Sequence, residues 1–455
     1  MDAAQLRVRV VTRRHAPETF PCPHCGTRGQ RKTTHTRSVR DIAYGEILFV
    51  EITVGEYRAH CSCCKTFRSQ IPGIERRAEY TNRVRQAVID RLLDDSMSME
   101  RLQQALARDF HLDLSTGFLY DCLDWKVRQV HMPEYRRWTL EKFSGTLSID
   151  EIHLGHRTLL LATDPLADFP VAFALVSAND QAHMRRFLQN LKNWGFLARV
   201  VTTDGSNLYP ALVAEVWPEA RHQLCVFHVI KDINECVLDA LRRLRRKHAA
   251  KRGRKRRRGR PRLSRQRAQA RKGPSKKEQA HFIWKHRYLL VTRPENLSGQ
   301  QRRQLSQMFQ YVPELRQQRA FVVEVYSLLD PSRSLAQVVN AWVKLINNPE
   351  YLTDPDLARA LEMLTPEKLA KLTAYLDSPL GQRVRTNNHV ERTNRRLRYL
   401  EKVRYKWRRR PTIVRFLVLA FDHWRGKQAS TTHEELHTCT QTLQEPSSGP
   451  TRRAA

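Results

Sequence analysis

The chain has 455 residues, 41% of them hydrophobic, and carries 80 Lys and Arg against 46 Asp and Glu. Its formal charge of +34 demands a polyanionic partner or a membrane surface, and its length allows roughly three domains. No apolar run approaches the ~18 residues of a transmembrane helix, and Met1-Asp2-Ala3-Ala4-Gln5 opens no signal core. The expectation is therefore a soluble cytoplasmic protein on nucleic acid, without a membrane.

Residues 1–72 read as a small β-rich module, with Val50-Glu51-Ile52-Thr53-Val54 alternating like a strand. Cys22-Pro23-His24-Cys25-Gly26 looks like a knuckle turn, and Cys61-x2-Cys64 repeats the spacing. Two thiolates from each knuckle can close a tetrahedral zinc shell, with Cys63 able to replace either member of the second pair. Nine cysteines, an odd count, argue against a disulfide framework.

Residues 80–131 switch to helical periodicity. Val84, Ala87, Val88 and Leu92 share one face, as do Leu102, Leu106 and Phe110. Ser115 is placed to cap a helix through Leu119, Cys122, Leu123 and Trp125. Three short helices with a tight turn at His111-Leu112-Asp113-Leu114 resemble a helix-turn-helix.

Residues 144–224 alternate strands, expected at 146–152, 157–163, 170–176 and 199–203, with helices at 181–194 and 206–215. This is an α/β pattern with a mixed sheet. Asp150 ends the apolar run Leu147-Ser148-Ile149-Asp150. Asp204 ends Val200-Val201-Thr202-Thr203-Asp204, ahead of Gly205. Taken singly, each is equally an ordinary strand-terminal Asp, and Asp204 a cap for the next helix. Cys225-Val226-Phe227-His228 could hold a metal, but two ligands are too few, so packing beside the site is preferred.

From Arg242 to Lys277 there are 20 Lys or Arg among 36 residues and no acid, which predicts a solvated, mostly disordered linker. Without it the chain keeps 60 basic against 46 acidic residues, still +14. Arg256-Arg257-Arg258-Gly259-Arg260-Pro261-Arg262 holds the Arg-Gly-Arg-Pro core of an AT-hook. Generic phosphate binding is the favoured reading of it. Residues 280–380 are helical, broken near Pro294, Pro331, Pro349 and Pro366. Residues 387–427 form one or two basic, aromatic-rich helices interrupted at Pro411, and a polar tail follows Lys427. Glu391 sits in Thr386-Asn387-Asn388-His389-Val390-Glu391-Arg392-Thr393-Asn394, where the bland alternative is a solvated charge paired with Arg395 at i+4.

Two strand-borne aspartates and a helix-borne glutamate can converge on two Mg²⁺ ions, an arrangement suited to phosphodiester chemistry. With the knuckles, the helix-turn-helix and the Asn387-to-Asn394 block, the chain resembles bacterial insertion-sequence transposases of the ISL3 type over residues 20–425. The motifs that carry the likeness are Ser148-Ile149-Asp150-Glu151, Thr203-Asp204-Gly205, the Asn-Asn-x-x-Glu block, and the stretch from Phe282 to Glu295 through Arg287-Tyr288-Leu289-Leu290. Cys225-x2-His228 stands where several relatives carry a similar Cys/His signature. Arg-Thr-Asn after Glu391, in place of Gly-x-Asn, departs from the pattern, as does the basic run.

The resemblance implies a multidomain protein with an α/β RNase-H-like core and a large helical insertion, plus an N-terminal zinc finger and an all-α helix-turn-helix. The boundaries are 1–75 for the finger, 76–140 for the helix-turn-helix, 141–235 for the first part of the core, and 236–280 for the basic linker. The helical insertion spans 281–380, the catalytic helix 381–428 and a flexible tail 429–455. It implies metal-dependent cleavage and strand transfer of element ends through Asp150, Asp204 and Glu391, with Mg²⁺ or Mn²⁺ as cofactor. Asp150 would bridge both ions. Zn²⁺ would sit on Cys22, Cys25, Cys61 and Cys64. Arg256, Arg257, Arg258, Arg260, Arg262, Arg392, Arg395 and Arg396 would touch DNA. The partners would be terminal inverted repeats and target DNA, with the protein a homodimer or larger oligomer in the bacterial nucleoid. The rivals are a catalytically inactive, domesticated DNA-binding derivative and an RNase-H-like structure-specific nuclease.

Overall fold

The computed structural model describes residues 7–58, 66–206, 208–250, 273–403 and 409–442. They fall into two compact units. One takes its residues from 1–141, 153–157 and 393–455, the other from 142–152 and 158–392.

The first unit opens with a five-stranded sheet of β1 (Arg7–His15), β2 (Thr19–Pro21), β3 (Arg28–Asp41), β4 (Glu46–Arg58) and β5 (Thr66–Arg68). The order is β1-β4-β3-β2, with β5 also on β4. Leu48, Val50 and Ile52 are buried at the two-residue period of a strand. Val50 and Ile52 pack with Val39 against Ile71 and Ile74, while Cys22, Tyr57 and Phe67 form a second cluster.

Helices Asn82–Leu93, Met99–Phe110 and Thr116–Val127 follow. Buried Asp41, at the end of β3, accepts the Thr81 hydroxyl and pairs with Arg83 at 3.0 Å, which ties sheet to helix. Ser98 and Ser115 cap the second and third helices through the N–H groups of Arg101 and Phe118. His111 adopts φ 51° and makes the tight turn between them. The helix Arg410–Thr442 joins this group through Arg415–Asp124 at 2.7 Å and His423–Asp94 at 2.8 Å. It runs past the boundary expected at 428 because no Gly or Pro follows Gly426 in that stretch.

The second unit is built on a mixed sheet of β6 (Thr146–Leu154), β7 (Arg157–Asp164), β8 (Phe169–Val176), β9 (Val200–Thr203) and β10 (Arg221–Leu224). The order is β10-β9-β6-β7-β8, with β6, β9 and β10 parallel and β7–β8 antiparallel. Four strands match expectation closely. β10 has no counterpart in the expected set, because Arg-His-Gln-Leu has no apolar run and becomes a strand only by pairing with β9.

The helix Val226–Ala250 buries Val226, Val229, Ile230, Ile233, Val237, Leu241 and Leu244 along one stripe. That stripe shares one apolar core with the helices of residues 276–377. This helix and the helix Lys276–Lys285 take in both ends of the run expected to be disordered, whose middle lies outside the described residues. No helix among the described residues is long and apolar enough to cross a membrane.

Candidate active site

The register of the parallel strands decides where the acidic residues meet. Thr146 pairs with Val200, Leu147 with Val201 and Ser148 with Thr202, a constant offset of 54. Carried two residues past the last pair, that offset aligns Asp150 with Asp204, and the charge of Asp204 acts on Asp150. β10 pairs Leu224 with Thr203, which brings Cys225 next in the row, and the Cys225 N–H donates to the Thr203 carbonyl at 2.8 Å. Asp150 within β6, and Asp204 and Cys225 each one residue past the end of β9 and β10, thus fall in one row across three adjacent parallel strands. In open α/β sheets ligands bind beyond such carboxyl ends.

Asp150 departs from one expectation, since it lies mid-strand in β6 rather than at its end. Asp204 is not the cap of the following helix. Its Oδ1 accepts from the Ser206 N–H at 3.0 Å, whereas the cap position of Tyr209–Val216 is Leu208.

Glu391 arrives on the helix Asn388–Lys402, and its N–H donates to the Asn387 carbonyl at 3.0 Å to start that helix. Asn387 is fully buried and acts as a pin. Its Nδ2 donates to the Ile149 carbonyl at 3.1 Å, and its N–H donates to Cys225 Sγ at 3.3 Å. One residue therefore fastens the helix to β6, beside Asp150, and to the end of β10. Val226 N–H to the Arg385 carbonyl at 2.9 Å reinforces the approach. Asp168, at φ 57° in the β7–β8 turn, accepts from His389 at 2.9 Å and pairs with Arg392.

The electrostatics follow from this crowding. Burial, then the charges of Glu151, Asp204 and Glu391, push the Asp150 carboxyl up to about 7. Contact with Cys225, then the charges of Glu391 and Asp204, raises His228 to about 9 against the opposing effect of burial. His228 Nε2 stands 3.6 Å from Glu391 Oε1, so the charge facing Glu391 is His228 rather than Arg395. Cys225, His228 and Glu391 offer sulfur, nitrogen and oxygen donors within 4.8 Å of one another. The Cys-x2-His pair, too small alone, gains Glu391 as a third metal-capable group.

The ISL3-type DDE transposase family model, described as transposase, matches residues 147–410. The chain belongs to that family. No curated protein matches it. The matched stretch of this transposase runs from β6 to the start of the helix Arg410–Thr442 and includes Asp150, Asp204, Cys225, His228 and Glu391.

The remaining expected site residues separate. Arg392, Arg395 and Arg396 are exposed on one face of the Glu391 helix, though Arg392 is engaged by Asp168 and Arg396 lies over Trp424 at 5.9 Å. Arg256, Arg257, Arg258, Arg260 and Arg262 lie outside the described residues, as do Cys61, Cys63 and Cys64. Cys22 and Cys25 do form a turn, with Gly26 at φ 75° donating its N–H to the Cys22 carbonyl at 2.9 Å. The positioning roles of Asn387 and Asp168 were missed. Asn387 had a signal in its motif block, but Asp168 had none.

Two expected outcomes arise here. Asn387→Ala strands the Ile149 carbonyl and frees the helix start, so it should cost about 1–3 kcal/mol in denaturant unfolding. A cost near zero would show that the pin carries no load. His222, whose Nε2 lies 2.8 Å from Thr203 Oγ1, is pulled down to about 4 by burial and then by Lys371. Its folded value lies below its unfolded value of about 6.5, so its contribution is present above about 6.5 and is lost as pH falls toward 4. His222→Gln should flatten the stability loss across that window by up to about 1 kcal/mol per pH unit. Parallel pH profiles for the two proteins would refute this.

Proposed function

We propose that this transposase cleaves insertion-sequence ends and joins them to target DNA at the cluster of Asp150, Asp204 and Glu391. The observation that supports the reading is the parallel register of β6 and β9, whose offset carried on aligns Asp150 with Asp204, together with the Asn387 bond that ties the start of the Glu391 helix to Ile149 of β6. The donor set suits hard divalent ions. Three carboxylates, Glu151, Asp204 and Glu391, are close enough to raise Asp150, and the buried Glu391 Oε1 has no hydrogen-bond partner among the described residues. Asp150, Asp204 and Glu391 would hold Mg²⁺ or Mn²⁺, which when bound activates the attacking hydroxyl and stabilises the leaving oxygen. Asn387 fixes the approach of Glu391. Asp168 holds the same helix through His389 and Arg392. His228 offsets the charge of Glu391.

The wider layout is part of the same proposal. The mixed sheet with its helical insertion supports an RNase-H-like core, and the helices of residues 82–127 support a helix-turn-helix that reads element ends. Assembly on paired ends would require a dimer or larger oligomer. Purified protein, Mg²⁺ and a labelled duplex carrying the element's ends should give strand nicking and then joined products. Binding without nicking in either Mg²⁺ or Mn²⁺ would leave only a DNA-binding derivative.

The Cys22–Cys25 turn supports a structural zinc shared with Cys61 and Cys64. Elemental analysis should find about one zinc per chain, and Cys22→Ser should remove it and weaken end binding while the second unit stays folded. Metal-free protein, purified without chelator, would end the zinc assignment.

A further inference from the structure

A groove of about 800 Å³ runs along the helix Val226–Ala250, closed on its far side by residues 288–296 and Tyr326. Its lining starts at Phe227, the chain neighbour of His228. Phe227 lines it and packs edge-on against the His228 ring at 5.9 Å, and His228 faces Glu391. Phe227 is 51% exposed and Tyr288, across the groove, 57% exposed. Rings left this open on a groove wall do little for the core and are available to stack on a ligand.

Cations border Tyr288 and nearby Trp284. Arg287 lies over Tyr288 at 4.3 Å and over Trp284 at 4.4 Å, and Arg245 lies over Trp284 at 4.7 Å. Lys231, Arg242 and Arg293 line the groove. Of the two acids in its wall, Asp239 is taken up by Arg242 and Arg359, which leaves Glu235. The wall is braced, since Tyr326 donates to the Val291 carbonyl at 2.8 Å and accepts from Asn234 at 3.1 Å.

We propose that this groove binds unstacked nucleobases of the DNA strand next to the scissile phosphate, with Phe227 and Tyr288 as stacking platforms. Open aromatic faces bordered by Arg and Lys match a single strand, whose bases offer π-faces and whose phosphates stay at the cationic border. A duplex stacks its bases internally and cannot use such rings. The occupant follows from adjacency, because Phe227 on the groove wall is the chain neighbour and ring partner of His228, which faces Glu391. The inference rests on the transposase reading of the acidic cluster.

The test uses the full chain and three labelled probes: a mixed-sequence single strand of about ten nucleotides, an abasic strand of the same length, and a duplex. Wild-type protein should bind the base-bearing strand at least about tenfold more tightly than the abasic one. The double variant Phe227→Ala/Tyr288→Ala should lose that gap while keeping its abasic and duplex affinities. Phe227→Trp/Tyr288→Trp should keep the gap. Equal wild-type affinity for the two strands overturns the groove assignment alone, as does a gap that survives the alanine pair. Failure to bind any of the three probes overturns the DNA reading with it.

Discussion

Asp150→Asn, Asp204→Asn and Glu391→Gln should each lower strand cleavage and joining by about 10³-fold or more, the scale of losing transition-state charge stabilisation worth several kcal/mol. Each change keeps side-chain shape and removes one charge. End binding should persist, and could only tighten as a negative charge leaves the neighbourhood of the phosphates. Melting in chelator should not fall, because each variant relieves a site where neighbouring carboxylates already raise Asp150. A role confined to capping or surface charge predicts the opposite pattern, a loss of about 1 kcal/mol in stability with chemistry intact. Near-normal cleavage by Glu391→Gln would move the third acid elsewhere, with Glu401 on the same helix the first alternative.

Deleting residues 251–272 should flatten the salt dependence of DNA affinity. This segment removes 13 Lys and Arg and no acid. Each phosphate contact contributes about 0.9 to the log–log slope, so even six lost contacts would erase about 10³-fold of the affinity difference between 50 and 200 mM salt. Loss confined to A·T-rich sites would favour the AT-hook reading of Arg256 to Arg262. An unchanged slope would make the run inert toward DNA.

The sequence was most legible where structure is local. Ser115 caps its helix as its position before an apolar face suggests, and β6 to β9 follow their apolar runs. Asp150 and Asp204 stood out because each follows such a run. What stayed hidden depends on pairing between distant segments. The offset of 54 has structural meaning only once β6 lies parallel to β9. β10 is too short and polar to announce itself. The assignment of His228 as the charge facing Glu391 joins residues 163 positions apart, and the i+4 neighbour Arg395 looked the better partner from spacing alone. Asn387 could be marked as part of a motif, but its contact with the Ile149 carbonyl spans 238 residues.

The wide separation of Glu391 from the two aspartates also sets an order in time. Asp204 leaves the ribosome 187 residues before Glu391. At about 5–20 residues per second, that delay is roughly 10–40 s. During it the nascent chain carries the segments of its first sheet and three helices and then gains the basic run, yet it lacks the third acid. On the proposed assignment of Glu391, a growing polypeptide would hold nucleic acid before it could break any, and a truncated translation product would compete for DNA without damaging it.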